Sequence, residues 1–155
     1  MTPVNALLAE YAADHQHPVN RRLHTICVPV IVVSLLGLLW SIPVPGFGGD
    51  RPSFVNWATL AAILALVWYL RLSIRLGLGM LAATIVALAL VAALGRLDQP
   101  LWLSSSALFL VAWIGQFIGH GFEGKRPSFF RDVRFLLVGP LWVLSHLYPR
   151  LGLRD

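Results

Sequence analysis

The chain has 155 residues, of which 57% are hydrophobic and only 12% charged, about half the charged share of a soluble globular domain. So few charges cannot cover a water-facing surface, and the composition points instead to a single integral membrane domain spanning residues 1–155. The net charge of +5 comes from basic residues beside apolar runs rather than from a basic tract, a placement that fits the headgroups of a lipid bilayer and not nucleic acid.

Residues 4–13 alternate apolar and polar at helical spacing and predict a short amphipathic N-terminal helix with Leu7, Leu8 and Tyr11 on its apolar side. Glu10 and Asp14 fall where a secretory leader would need an unbroken apolar stretch, so no cleavable signal peptide is expected. The next stretch, Asp14 to His24, holds three of the five histidines together with Asn20, Arg21 and Arg22. Pro18 suits the first turn of a helix, where its missing N–H is not needed, and His17 before it reads as a loop or capping histidine. Asn20 and His24, four apart, then share one face.

Four apolar runs follow: Leu23–Ile42, Phe54–Leu70, Leu76–Leu94 and Leu101–Gly119. They have 17 to 20 residues each, near the roughly 20 needed to cross about 30 Å of hydrocarbon. None contains Asp, Glu, Lys or Arg. Pro29 is expected to kink the first, and Cys27 within it reads as a small buried hydrophobe. A fifth apolar stretch, Val133–Tyr148, is interrupted by Gly139-Pro140 and carries His146. It spans, re-enters or lies along the interface. The expected fold is therefore all-α: four transmembrane helices, a fifth Pro-interrupted helix and the N-terminal amphipathic helix.

With four spans, the start of the first and the end of the fourth lie on one side, which places His24 and His120 there together. Arg21, Arg22, Arg71, Arg75, Lys125, Arg126, Arg131 and Arg134 fall on that side, against Arg51 and Arg96 on the other. Eight against two is a positive-inside bias that makes the histidine face and the N-terminus cytoplasmic, facing the cytosol from an inner membrane in a bacterium or from the endoplasmic reticulum in a eukaryote. On the same side, Gln116 and His120 are one helical turn apart, and Glu123 follows within another turn if the helix persists. Gly115 and Gly119 form a small-xxx-small pair that lets a neighbouring helix approach.

Histidines gathered at one depth, with few carboxylates, favour a divalent transition metal over calcium or magnesium. Spacing alone leaves open the reading in which they are ordinary interfacial residues, because no dense ligand signature is present. A transporter is disfavoured by spans without charge. A haem-binding electron carrier is disfavoured by histidines at span ends rather than at matching depth within facing helices.

The pattern His15-x-x-Pro18-x-Asn20-x-x-x-His24, then Pro29, then Gln116-Phe-x-Gly-His120-x-x-Glu123-x-x-Arg126-Pro127 and Pro140, resembles the 2-hydroxy fatty acid dioxygenase family along essentially the whole chain. The resemblance implies an Fe(II)-dependent membrane oxidoreductase of fatty acid α-oxidation. Such an enzyme uses O₂ to convert a long-chain 2-hydroxy fatty acid to a product one carbon shorter. It further implies His15, His24 and His120 as metal ligands, and Asn20, Gln116 and Glu123 as groups that orient ligands or substrate. His146, where the family pattern more often has a carboxylate, is included as a fourth ligand. Arg21, Arg22, Lys125 and Arg126 are the basic side chains placed to steer a substrate carboxylate. A metal- or haem-binding membrane protein without oxygenase activity, or a small transporter, is the alternative.

The charge bias sets a direct test of sidedness. In a Cys27→Ala background, Gln16→Cys and Gly124→Cys should react with an impermeant thiol reagent only from the cytoplasmic side, and Asp50→Cys and Asp98→Cys only from the other. Opposite labelling of the first two would dismantle the shared face.

Overall fold

The computed structural model describes residues 3–46, 54–126 and 134–148. Among them the chain is all-helical, with no strand: α1 (Pro3–Ala13), α2 (Pro18–Ser41), α3 (Trp57–Leu72), α4 (Ile74–Leu94), α5 (Leu101–Glu123) and α6 (Phe135–Leu147). Three of these, α2, α4 and α5, are long and apolar enough to cross a membrane, with 24, 21 and 23 residues. At 1.5 Å per residue they measure about 36, 31 and 34 Å.

The second and fifth apolar runs give shorter helices, of 16 residues in α3 and 13 in α6. They reach about 24 and 20 Å. Local chemistry trims α3 at both ends. Asn56 caps its start by accepting the Thr59 N–H at 2.8 Å, so the helix begins at Trp57 rather than Phe54. Ser73 closes it through its N–H to the Tyr69 carbonyl, then opens α4 by accepting the Leu76 N–H on its hydroxyl. In α6, Gly139-Pro140 does not interrupt the helix, which runs through both. Likewise α2 continues through Pro29.

The seam that organises the bundle joins α2 and α5, which run antiparallel. Asn20 faces Gly119, Cys27 faces Gly115 and Gly37 faces Ser105, so one helix ascends as the other descends. The expected close approach at the glycine pair is present: a Cβ on Gly119 would sit 2.7 Å from Asn20 Oδ1, and one on Gly115 2.6 Å from Cys27 Sγ. At the end of α2 remote from the histidines, Leu36 packs with Ala58, Ala62, Ala87 and Val91 of α3 and α4.

At the histidine end, α1 does more than lie on the surface. Val4 is buried with Tyr69, Met80 and Leu141, while Tyr11 is buried with Val28, Phe135, Val138 and Trp142. Leu7 and Leu8 pack against these clusters, as their spacing predicts. Helices α1 and α6 therefore close this end of the bundle together. Of the charges used to set sidedness, Arg51 and Arg131 lie outside the described residues, as do the labelling position Asp50 and Pro127 of the family-like pattern.

The α2–α5 seam tolerates no side chain at Gly119. Gly119→Leu should lower the thermal unfolding midpoint of the purified protein in detergent by several degrees, the consequence of an overpacking cost of about 1–3 kcal/mol. Gly121→Ala, where an added methyl meets nothing within 4 Å, should not lower it.

Candidate metal centre

Three side chains from two helices and the turn between α1 and α2 meet at the closed end of the bundle. His15 lies in that turn, His24 one and a half turns into α2, and His120 in the last turn of α5. They are 2%, 2% and 3% exposed, and one ligand atom from each falls within 4.8 Å of the others. The ring centroids are 4.2 Å apart for His15 and His24, 5.1 Å for His15 and His120, and 5.0 Å for His24 and His120.

Backbone carbonyls fix how two of the rings present themselves. His15 Nδ1–H donates to the Tyr11 carbonyl at 2.6 Å, and His24 Nδ1–H donates to the Asn20 carbonyl at 3.1 Å, each four residues back. With Nδ1 protonated, Nε2 carries the lone pair in both neutral rings. These two nitrogens face each other at 2.9 Å. Burial holds the His15 imidazole below its usual range, which keeps it neutral near pH 7. Two buried lone pairs so close repel unless a cation lies between them, and His120 adds a third imidazole whose Nδ1 is buried without a partner. This donor set fits a divalent transition metal, with the Nδ1–carbonyl bonds serving as the outer contacts that orient metal-binding histidines.

The turn that carries His15 is clamped from α5. The Glu123 carboxylate accepts the Gln16 and His17 N–H groups at 2.8 Å each and the Asn20 side-chain amide at 3.0 Å. It thus supplies acceptors at the start of α2, where helix N–H groups lack them, while the His17 ring accepts the Val19 N–H as the cap. Beyond Glu123 the helix ends at Gly124, whose φ of 70° lies in the left-handed region. The Lys125 N–H returns to the His120 carbonyl and the Gly124 N–H to that of Gly121, a Schellman closure. This turn carries Lys125 back over α1, where its ammonium meets Asp14 at 3.3 Å and the Ala13 carbonyl at 3.2 Å.

Aromatic rings wall the centre. Tyr11 stacks on His15 with centroids 4.1 Å apart, and Trp142 of α6 lies 5.6 Å from both. A cavity of about 60 Å³ adjoins the histidines, with His24, Gln116 and His120 on its polar side and Val28, Ile31, Val32, Trp113, Leu136 and Pro140 among its apolar lining.

The structure therefore brings together His15, His24, His120, Asn20, Gln116 and Glu123. It does not bring His146 to them: that ring is exposed, donates from Nδ1 to the Trp142 carbonyl and lies against the Trp142 indole, outside the group of three. The physical reason is helical: four residues beyond Trp142, His146 has passed the level of the site. Arg21, Arg22, Lys125 and Arg126 are exposed and none lines the cavity, and Lys125 is engaged with Asp14. Sequence reasoning missed Tyr11 and Trp142. The first carried a usable signal, four residues before His15; the second, far along in an apolar run, carried none.

Three buried histidines able to hold a metal ion, at one end of an apolar helix bundle, define a candidate metalloprotein with three helices long and apolar enough to cross a membrane. The chain belongs to the 2-hydroxy-palmitic acid dioxygenase Mpo1-like family, whose model matches residues 1–151. It is 27% identical over 147 residues to the 2-hydroxy-palmitic acid dioxygenase MPO1 of Saccharomyces cerevisiae, covering 94% of this chain and 79% of the yeast protein. No solved structure matches it significantly.

Metal content tests the site directly. His24→Ala and His120→Ala should each reduce bound iron or cobalt(II) to background, and His146→Ala should leave it unchanged. Glu123→Ala should keep the stoichiometry but weaken affinity by about 10–100-fold, as loss of an orienting contact does.

Proposed function

We propose that this protein is a non-haem Fe(II)-dependent membrane dioxygenase of fatty acid α-oxidation, acting on long-chain 2-hydroxy fatty acids. The observation that carries the reading is the buried three-imidazole donor set beside an apolar-walled cavity. Membership of the Mpo1-like family supports the substrate class. The ligands are His15, His24 and His120. Asn20 and Glu123 hold the first of these in place, and Gln116 faces the substrate.

Bound Fe(II) would supply the redox centre through which electrons of the 2-hydroxy acid reach O₂, and a Lewis acid for its hydroxyl and carboxylate oxygens. The chain's own residues keep His15 and His24 in the tautomer that offers Nε2, exclude bulk water through Tyr11, Trp113 and Phe135, and leave one side open for substrate. Overall, one 2-hydroxy acid and one O₂ give an acid one carbon shorter, CO₂ and water. A haem protein is the less favoured reading, since about 60 Å³ is far below the several hundred Å³ of a cofactor pocket.

The membrane arrangement follows the same reading. Because α2 and α5 are antiparallel and α4 leads into α5 by a short turn, the chain must return to the histidine end between α2 and α4. In this reading α3 makes that return and is the fourth crossing, while α6 stays at the histidine end. Arg21, Arg22, Arg71, Arg75 and Arg126 then rest among the headgroups of the cytoplasmic leaflet.

Oxygen uptake by the iron-loaded protein in lipid nanodiscs tests the reaction. A long-chain 2-hydroxy acid should be turned over to the acid one carbon shorter, without 2-oxoglutarate. The matched 3-hydroxy and unsubstituted acids should react at least about 100-fold more slowly, because neither offers the same five-membered chelate. Equal turnover of the 2- and 3-hydroxy acids, or undiminished turnover after iron removal, would rule the mechanism out.

A further inference from the structure

The cavity beside the histidines has two ends of opposite character. At its inner end, the Gln116 side chain is 3% exposed and its amide nitrogen is buried with no hydrogen-bond partner, one turn before His120 on α5. A buried amide N–H without an acceptor costs on the order of 1–3 kcal/mol, so a residue kept this way is poised for a ligand. At its outer end, the lining is apolar and half-exposed, with Ile31 and Val32 of α2 across from Leu136 and Pro140 of α6. Ile31 is seven residues beyond His24 on a helix of membrane-crossing length. It therefore lies about 10 Å further from the histidine end. The half-exposed apolar lining thus lies further along α2 than His24, away from Arg21 and Arg22 near the start of that helix.

Size decides what can enter. About 60 Å³ is room for a few small groups, well below the 300 Å³ or more that encloses a whole lipid-sized ligand. Among the described residues, no lysine or arginine lines the space. Resting on the function proposed above, we infer that the 2-hydroxy acid enters sideways from the bilayer between α2 and α6. Its head lies against Gln116, whose amide donates to the carboxylate or hydroxyl, and only its first carbons are held by Val28, Ile31 and Val32. The remaining tail stays in lipid.

This orientation matches that of a fatty acid in a leaflet, carboxylate at the surface and tail toward the centre, so entry needs no inversion. It also fixes what the enzyme reads. Moving further methylenes from lipid against an apolar helix groove gains little, because lipid tails are as apolar as leucine. Chain length is thus not selected, whereas bulk at the third carbon is.

Binding to zinc-loaded protein in phosphatidylcholine nanodiscs tests this without turnover, with affinity referred to the mole fraction of acid in the lipid. Across a series of straight saturated 2-hydroxy acids from dodecanoic to eicosanoic, affinity should vary by no more than about threefold. A 3-methyl branch should weaken it at least about tenfold, the effect of overpacking. Gln116→Leu should weaken every acid about tenfold, the effect of one lost hydrogen bond to a charged group, with zinc content unchanged. Ile31→Trp, at the half-exposed mouth, should slow association of the long acids and leave water-soluble 2-hydroxybutyrate unaffected. A sharp optimum at one chain length, undiminished binding by Gln116→Leu, or equal slowing of 2-hydroxybutyrate by Ile31→Trp would overturn the inference. Failure of the unmodified protein to bind any 2-hydroxy acid would instead overturn the functional reading beneath it.

Discussion

The constraint on which the rest depends is electrostatic: two neutral imidazoles present lone pairs to each other at 2.9 Å inside the protein. Each is locked in that state because its other nitrogen donates to a backbone carbonyl four residues earlier. Protonating one ring would relieve the repulsion, but burial opposes a charge on His15. A divalent cation would satisfy the pair, and the third histidine lies close enough to hold it as well. The polar features at this end of the molecule can be understood as ways of holding that unfavourable geometry in readiness.

Holding it takes help from three directions. The small-residue seam lets α5 approach α2 closely enough for His120 to reach His24. Glu123 then binds the turn bearing His15 through three hydrogen bonds, two of them part-buried, which solvent weakens less than the exposed one to Gln16. Lys125 adds a weaker tie to Asp14, since its side chain is 52% exposed and such pairs contribute at most about 1 kcal/mol. Finally α6 supplies Phe135 and Trp142 against Tyr11, which shields the rings from water on that side.

Much of this arrangement was legible in the chain itself, for reasons that differ by element. Long charge-free runs announce long apolar helices, and α2, α4 and α5 are long and apolar enough to cross a membrane, whereas the run from Phe54 to Leu70 yields only 16 helical residues. Parity placed His24 and His120 at one end without any knowledge of packing, and the antiparallel seam agrees. The ends of α3 were less legible, since an asparagine cap can override an apolar run that begins three residues earlier. His146 shows the larger limit. Hydropathy and spacing assign a residue to an end of the bundle, but only the packed height of each helix decides which of two residues on one face reaches the site, and on α6 it is Trp142 that lies against His15. Tyr11 entered as part of an apolar stripe; its second task, offering a carbonyl to His15, belongs to the backbone and has no signature in residue type.

The order of the donors along the chain has a consequence for biosynthesis. His15 and His24 emerge from the ribosome early, nine residues apart, while His120 and the Glu123 and Lys125 contacts arrive nearly a hundred residues later. Until α5 has inserted beside α2, only two imidazoles are available, on a turn that nothing yet clamps. The full set of three imidazoles exists only once α5 has been made. An ion held by all three imidazoles would therefore be bound only after α5 has found its place beside α2.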